Sequence, residues 1–193
     1  MTFSTLLLAS QNTGKLRELK ALVPPDITLY LASDFSAEEP EETGETFQEN
    51  AALKATFWQQ KTNLPCLADD AGICIEALQG APGVASKEFI GNLGGREKMF
   101  EFLAKNKDIQ SNPGAYCVCV LAFALPNGDL KFYEGRCEGE IVFPARGSQG
   151  HGYDPVFRPY GATQTFAEMN LAEKNRWSHR SQAVKLFLKD CFV

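Results

Sequence analysis

The first third of the chain alternates between strand-like apolar runs and helical spacing of apolar residues. The apolar run 6–9 ends in small polar residues, which predicts a buried strand that turns into a helix N-terminus with unpaired backbone N–H groups. Such a turn can hold an anion. Thr46 and Glu49 form a capping box ahead of further apolar positions, and this pattern predicts a helix from about 47 to 61.

Later segments of the chain predict a hairpin and a strand that ends in two acids. The stretch 64–77 reads as two strand-like pieces flanking Asp69 and Asp70, so the acids are predicted where a strand stops. The turn sequence 126–128 separates two apolar runs and predicts a hairpin. The other predicted elements are strands over 27–31, 115–125 and 130–138 and helices over 16–23, 96–107 and after a Ser178 N-cap. Strands that alternate with helices and then form a hairpin indicate an α/β protein with a mixed sheet.

Composition favours a soluble protein with one domain spanning residues 1–193. Of the 193 residues, 44% are hydrophobic, and no apolar segment approaches the ~20 residues that a membrane span requires. The first ten residues lack a basic region, which predicts a cytoplasmic protein without a membrane partner. A net charge of −5 without a basic tract argues against a nucleic-acid polymer as partner. The six cysteines form no CxxC pair and are predicted to be free buried thiols.

Three polar groups are candidates for chemistry, and each also has an ordinary structural interpretation. The opening turn from Ser10 to Lys15 is neither a GxGxxG nor a Walker A pattern, and alone it could be a plain helix start. Asp69 and Asp70 are adjacent on a strand and face opposite sides, so one is predicted to be catalytic and the other supporting; a capped turn is the alternative.

The acidic loop and a cationic segment complete the candidate groups. Glu41, Glu42 and Glu45 either form a solvated loop or supply one carboxylate to a Mg²⁺ site shared with an aspartate. The run from His151 to Asp154 and four cationizable residues, Lys174, Arg176, His179 and Arg180, could bind phosphate or a planar base, or could form a surface helix end. Together these groups predict a nucleoside triphosphate site without a P-loop.

Five motifs resemble those of the inosine/xanthosine triphosphate pyrophosphatases of the Ham1 type. They are SQNTGKLRE (10–18), EETGETFQENAALKA (41–55), LADDAGICIEALQGAPGVAS (67–86), GHGYDPVF (150–157) and AEKNRWSHRSQAVK (172–185). The resemblance implies an α/β fold with an elongated central mixed sheet, flanking helices and two lobes around an active-site cleft, usually as a homodimer. It also implies Mg²⁺-dependent cleavage of ITP, dITP and XTP to the monophosphate and pyrophosphate.

The resemblance also implies roles for individual residues. Glu41 and Asp70 would hold Mg²⁺, and Asp70 would be the catalytic base that activates water. The implied substrate-binding residues are Ser10, Gln11, Asn12, Thr13, Gly14, Lys15, Ala71, His151, Gly152, Tyr153, Asp154, Lys174, His179 and Arg180. Three of them depart from the residues common in the family, namely Gln11, Ala71 and His151, and these departures bear on affinity and base selectivity.

Two other functions compete with this interpretation. A similarly folded Maf-type pyrophosphatase would act on modified pyrimidine triphosphates, and the run Ser178-His179-Arg180 favours the purine enzyme over it. A nucleotide sensor without turnover would have little need for a metal site and a base, so the presence of Glu41, Asp69, Asp70 and Lys15 argues against it.

Overall fold

The computed structural model describes residues 3–10 and 13–192, with the backbone alone at Thr13. Gln11 and Asn12, two of the predicted substrate-binding residues, lie outside the described residues. The strands are β1 (Thr5–Leu8), β2 (Thr28–Leu31), β3 (Cys66–Ile75), β4 (Gly114–Ala124), β5 (Leu130–Ile141) and β6 (Phe157–Pro159). The helices are α1 (Thr13–Lys20), α2 (Phe47–Thr62), α3 (Ser86–Asn92), α4 (Arg96–Lys105), α5 (Lys107–Ser111), α6 (Leu171–Trp177) and α7 (His179–Phe192).

The six strands form one mixed sheet in the order β2-β1-β3-β4-β5-β6. β1 runs parallel to both β2 and β3, whereas β5 and β6 pair antiparallel. β4 and β5 are joined by the predicted turn, in which Gly128 has a φ of 92° and donates its N–H to the carbonyl of Leu125. Such a positive φ suits glycine. The prediction of an α/β protein with a mixed sheet and flanking helices is confirmed.

The chain folds as two compact units, each with its own core. One unit consists of Met1–Ala71, Cys119–Gly135 and Arg180–Val193, and buried leucines of β1 pack there with the rings of Phe123 and Phe187, whose centroids lie 5.1 Å apart. The other unit consists of Gly72–Val118 and Arg136–His179, and its core gathers Ile73, Met99, Leu103, Phe157 and Phe166. Removing this apolar area from water is the main favourable contribution to folding of each unit.

Local sequence signals account for where α2 and α5 begin. The Thr46 side chain accepts a hydrogen bond from the Glu49 N–H, and the Glu49 carboxylate accepts one from the Thr46 N–H, so the predicted capping box is confirmed. The helix predicted over 96–107 is in fact two helices. Asn106 separates them because its side chain accepts hydrogen bonds from the first N–H groups of α5.

The prediction that a strand stops at the acid pair is wrong. β3 is a single strand that runs through Asp69 and Asp70, and it lies between β1 and β4 in the sheet. A strand interior usually disfavours aspartate. Here both carboxylates find cationic partners on the two faces of the strand, so the backbone need not turn to solvate them.

All six cysteines are free and buried, as predicted from their apolar surroundings. Burial raises the pKa of the Cys119 thiol to about 12, so this sulfur stays protonated at neutral pH.

Within residues 3–10 and 13–192, no helix has the length and apolar character that crossing a membrane would require.

Candidate active site

Asp69 and Asp70 occupy opposite faces of β3 and meet different partners. Asp69 is only 2% exposed, and its Oδ2 lies 3.1 Å from Lys15 Nζ and 3.0 Å from Arg180 Nη2. Arg180, 1% exposed, also donates through Nε to Asp69 and through Nη1 to Glu18. This side of the strand therefore holds a buried network of two carboxylates and two cations.

The cations around Asp69 determine its charge. Burial alone would raise the pKa of Asp69, but Lys15, Arg180 and Lys54 together hold it well below its usual range. Asp69 is therefore ionised at neutral pH, and it offsets the charge of the buried Arg180. The predicted supporting role of one acid agrees with this geometry.

Asp70 has a different environment on the other face of β3. Its Oδ2 accepts a hydrogen bond from Asn50 Nδ2 at 3.4 Å, and its Oδ1 lies 3.6 Å from Lys54 Nζ. Burial raises the pKa of Asp70, the attraction of Lys54 and Lys15 opposes this shift, and the nearby Glu42 carboxylate adds to it. A partly buried carboxylate with a raised pKa and one oxygen facing a cation has the properties expected of a general base or a metal ligand.

Asn50 connects the acidic loop to β3, and sequence reasoning missed it. Its Oδ1 accepts the Gly44 N–H at 2.7 Å, so its amide nitrogen is the group that faces Asp70. A Cβ atom at Gly44 would lie 2.7 Å from that same oxygen, which explains why glycine stands there. The signal in the sequence was a polar residue among the apolar positions of α2. Asn50 is buried in the structure, and a buried polar side chain normally has a hydrogen-bond partner.

The structure places Glu42, the neighbour of the predicted Glu41, near Asp70 through a shared cation. Lys54 forms an ion pair with Glu42 Oε1 while its ammonium faces Asp70 Oδ1, so one cation joins the two carboxylates. Glu41 is exposed, and no ion pair within 4 Å is found for it among the described residues. The metal-ligand role of Glu41 stays a prediction, and the ion pair with Lys54 makes Glu42 a second candidate ligand.

A second group of predicted residues lies in the other unit, around Asp154. Asp154 Oδ2 accepts the His151 N–H at 2.7 Å and lies 2.8 Å from the buried Lys174 Nζ. Lys174 also lies 5.3 Å from the centroid of the Phe166 ring. The structure thus brings together the GHGYD loop and α6, which the sequence predicted to act as one group.

Gly150 makes the bend of this loop possible. Its φ is +74°, and a Cβ atom there would come within 1.9 Å of Asp154 Oδ2. We therefore expect Gly150→Ala to displace the Asp154 carboxylate from Lys174 and to lower the free energy of unfolding by about 2 kcal/mol or more. Urea denaturation checks this prediction. The control is Gly152→Ala, which has a φ of +57° but no atom within 4 Å of the added Cβ, and it should cost less.

The remaining predicted residues lie on the elements that the motifs indicated. Tyr153 donates its hydroxyl to the Ser86 carbonyl at 3.1 Å, and His179 begins α7 with its ring centroid 6.3 Å from that of Phe166. Ser10 follows β1, Thr13, Gly14 and Lys15 open α1, Ala71 lies in β3, and Gly152 lies in the glycine-rich loop. Their contacts with substrate, and that of Arg180 with the base, stay predictions.

Known proteins are similar to this chain over nearly its whole length. The profile of the Ham1 family matches residues 6–190, nearly the whole chain. The chain belongs to the Ham1 family. Ham1 relatives include the dITP/XTP pyrophosphatase of Gluconobacter oxydans, which is 43% identical over 97% of this chain and 91% of its own length. The dITP/XTP pyrophosphatase of Thermus thermophilus is 44% identical over 95% of this chain and 90% of its own length.

Solved Ham1 structures share the architecture. A HAM1 protein from Coxiella burnetii superposes with a TM-score of 0.85 and 37% identity, and the match covers 97% of this chain and 98% of that one. The Ham1 protein of Staphylococcus aureus superposes with a TM-score of 0.82 and 32% identity over 96% of this chain and 97% of that one. The Ham1 fold that the motifs predicted is therefore confirmed.

Proposed function

We propose that this chain hydrolyses dITP, ITP and XTP to the nucleoside monophosphate and pyrophosphate. The observation that carries the proposal is the arrangement around Asp70, whose Oδ1 faces the cation shared with Glu42 while Asn50 binds Oδ2. Membership of the Ham1 family supports the substrate class, since relatives over 40% identical are named dITP/XTP pyrophosphatases. Homodimerisation and a cytoplasmic location stay predictions.

The donor set around Asp70 fits Mg²⁺. Asp70 and Glu42 offer hard carboxylate oxygens that already converge on one cation, the Lys54 ammonium. Among the described residues, no group of three or more His, Cys, Asp or Glu side chains has an arrangement that could hold a metal ion, and the proposed protein ligands are the two carboxylates of Glu42 and Asp70. Mg²⁺ takes one or two carboxylates and completes its shell with water and phosphate oxygens. When bound, the ion stabilises negative charge on the phosphate oxygens.

The side chains of the chain itself account for the remaining steps. Asn50 donates a hydrogen bond to Oδ2 of Asp70 and so orients this carboxylate, which would accept the proton of a water that attacks the α-phosphorus. Lys15 lies in the first turn of α1, where its ammonium and the helix N–H groups donate to triphosphate oxygens. Asp69 keeps Lys15 and Arg180 in place and stays ionised throughout.

The residues around Asp154 are proposed to bind the base. Hypoxanthine and xanthine carry a 6-oxo acceptor, for which backbone N–H groups of the glycine-rich loop and the His179 imidazole are suitable donors. Adenine carries a 6-amino group instead and would leave these donors unpaired, which penalises its binding. The buried ion pair of Asp154 with Lys174 holds the loop in place for this contact.

A substrate panel tests the proposal. Pyrophosphate release is measured from dITP, XTP, dATP, dGTP and a modified pyrimidine triphosphate, each with Mg²⁺ and with excess chelator. We expect rapid, metal-dependent release from dITP and XTP and little from the other three. Guanine shares the 6-oxo group, so dGTP would be rejected at its 2-amino group, for which the site offers no room or no acceptor. Release from the pyrimidine alone would indicate a Maf-type enzyme, and tight nucleotide binding without any release would indicate a sensor; either result contradicts the proposal.

Glu42 and Glu41 provide a matched pair for the metal site. We expect Glu42→Gln to raise the Mg²⁺ concentration needed for half-maximal hydrolysis by about tenfold or more, since it removes one of two carboxylates. Glu41→Gln removes the same charge from the neighbouring exposed position and should change this concentration by less than about twofold. A larger effect of Glu41→Gln than of Glu42→Gln would instead identify Glu41 as the metal ligand.

A further inference from the structure

Lys54 occupies the point where the two proposed metal ligands meet. Its ammonium pairs with Glu42 Oε1 and lies 3.6 Å from Asp70 Oδ1, and its side chain is 13% exposed. These are the oxygens that the proposed function assigns to Mg²⁺. A monovalent cation of the protein and a divalent ion cannot both lie between the same two carboxylates, because their like charges repel at such short distance.

We propose that Lys54 is a placeholder for the metal ion: in the nucleotide-free enzyme its ammonium occupies the cation position between Glu42 and Asp70, and it leaves when metal and nucleotide bind together. This inference rests on the proposed metal site at these two residues. It assigns to Lys54 a positioning role in the empty enzyme.

Electrostatics explain why such a placeholder is needed. Asp70 is 6% exposed, and without a cation the two carboxylates would repel each other in a partly buried place. The Lys54 ammonium compensates this charge, and the capping box at Thr46 fixes the start of the helix that carries it. Four flexible methylene groups allow the ammonium to move while α2 stays in place.

The triphosphate gives the displaced ammonium a new partner. A lysine ammonium binds phosphate oxygens as a point charge, so a nucleotide compensates for the contacts that Lys54 loses to the entering ion. Metal binding and nucleotide binding should therefore assist each other, and by linkage the effect is equal in both directions. The free enzyme, in contrast, should hold the ion weakly.

Mn²⁺ binding to the full chain without nucleotide tests the inference. Mn²⁺ accepts the same oxygen ligands as Mg²⁺, and the EPR signal of the free ion reports its binding independently of hydrolysis. We expect Lys54→Met to tighten Mn²⁺ binding by about tenfold or more at constant pH, since it removes a competing positive charge. Lys54→Arg keeps the charge and should stay within about threefold of the wild type.

Lys61→Met is the matched control on the same helix. Lys61 pairs with Glu38 and lies over the rings of Phe57 and Trp58, so its loss should leave Mn²⁺ affinity unchanged. Circular dichroism verifies that each variant is folded, and Lys54→Gln replaces Lys54→Met if the latter is not.

Coupling to nucleotide supplies a readout that a purely structural role would not move. A non-hydrolysable ITP analogue with an α,β-methylene bridge should tighten Mn²⁺ binding several-fold more in the wild type than in Lys54→Met. Unchanged or weaker Mn²⁺ binding by folded Lys54→Met, or equal coupling in both proteins, would overturn the placeholder role.

The double variant with Glu42→Gln and Lys54→Met distinguishes a failure of the placeholder proposal from a failure of the proposed function. If the metal site is correct and only the placeholder is wrong, Glu42→Gln still weakens Mn²⁺ binding, and the wild type still releases pyrophosphate from dITP. If Mn²⁺ binding is indifferent to Glu42 and dITP is not hydrolysed, the proposed function itself fails.

Discussion

We expect Asp70→Asn to lower kcat for dITP hydrolysis by at least about 10³-fold, while the fold and some nucleotide binding remain. The amide keeps the size of the side chain but can neither accept the proton of water nor supply a full negative charge to a metal ion. Steady-state pyrophosphate release and equilibrium binding of a non-hydrolysable analogue measure the two effects separately. Undiminished turnover would remove Asp70 from the catalytic role.

The stability of Asp70→Asn is expected to equal or exceed that of the wild type without metal. Burial raises the pKa of Asp70 in the folded chain, which means that its ionised form is less favourable there than in the unfolded chain. Replacing the ionised carboxylate by a neutral amide removes that cost. A thermal melt in excess chelator therefore distinguishes loss of chemistry from loss of fold.

Asp69→Asn, unlike Asp70→Asn, is expected to destabilise the fold, and it gives the largest expected loss of stability. The substitution leaves the buried Arg180 and the neighbouring Lys15 without the charge of their shared carboxylate. Removing one partner of a buried ion pair costs about 3–5 kcal/mol. We expect a decrease in melting temperature of roughly 10 °C for a chain of this size, measured by calorimetry. A change of less than about 2 °C would contradict the buried network.

The pH dependence of that loss has a defined sign. Burial raises the pKa of Asp69, but the surrounding cations outweigh burial. They hold the pKa in the folded chain below the value of about 3.9 in the unfolded chain. The stabilisation by Asp69 is therefore complete above about pH 5 and is lost as the pH falls through and below the unfolded value. The difference in unfolding free energy between wild type and Asp69→Asn should accordingly be full at pH 7 and shrink below about pH 4.

The positions of Asp69 and Asp70 on opposite faces of β3 were predictable from the sequence alone. Alternation along a strand predicted that Asp69 and Asp70 face opposite sides, and the contacts with Lys15 and Lys54 agree. The capping box predicted the start of α2, and turn residues predicted the connection between β4 and β5. All of these signals are local, and each has a period or spacing that a single segment displays.

What the sequence could not supply depends on contacts between distant segments. The acids were predicted at the end of a strand because they interrupt two apolar, strand-like pieces, yet Arg180, 111 residues away, compensates Asp69 within β3. The choice between Glu41 and Glu42 depends on which one meets Lys54, and the acidic loop has no periodicity to decide it. Asn50 gains its importance from Gly44 and Asp70, which local patterns do not connect with it.

Hydrolysis of dITP in ¹⁸O-labelled water is the most direct test of the proposed reaction, namely that water attacks the α-phosphorus. Mass spectrometry of both products locates the label. We expect one ¹⁸O atom in dIMP and none in pyrophosphate. Label in pyrophosphate, or release of labelled orthophosphate with dIDP, would place the attack at another phosphorus and rule out the proposed reaction.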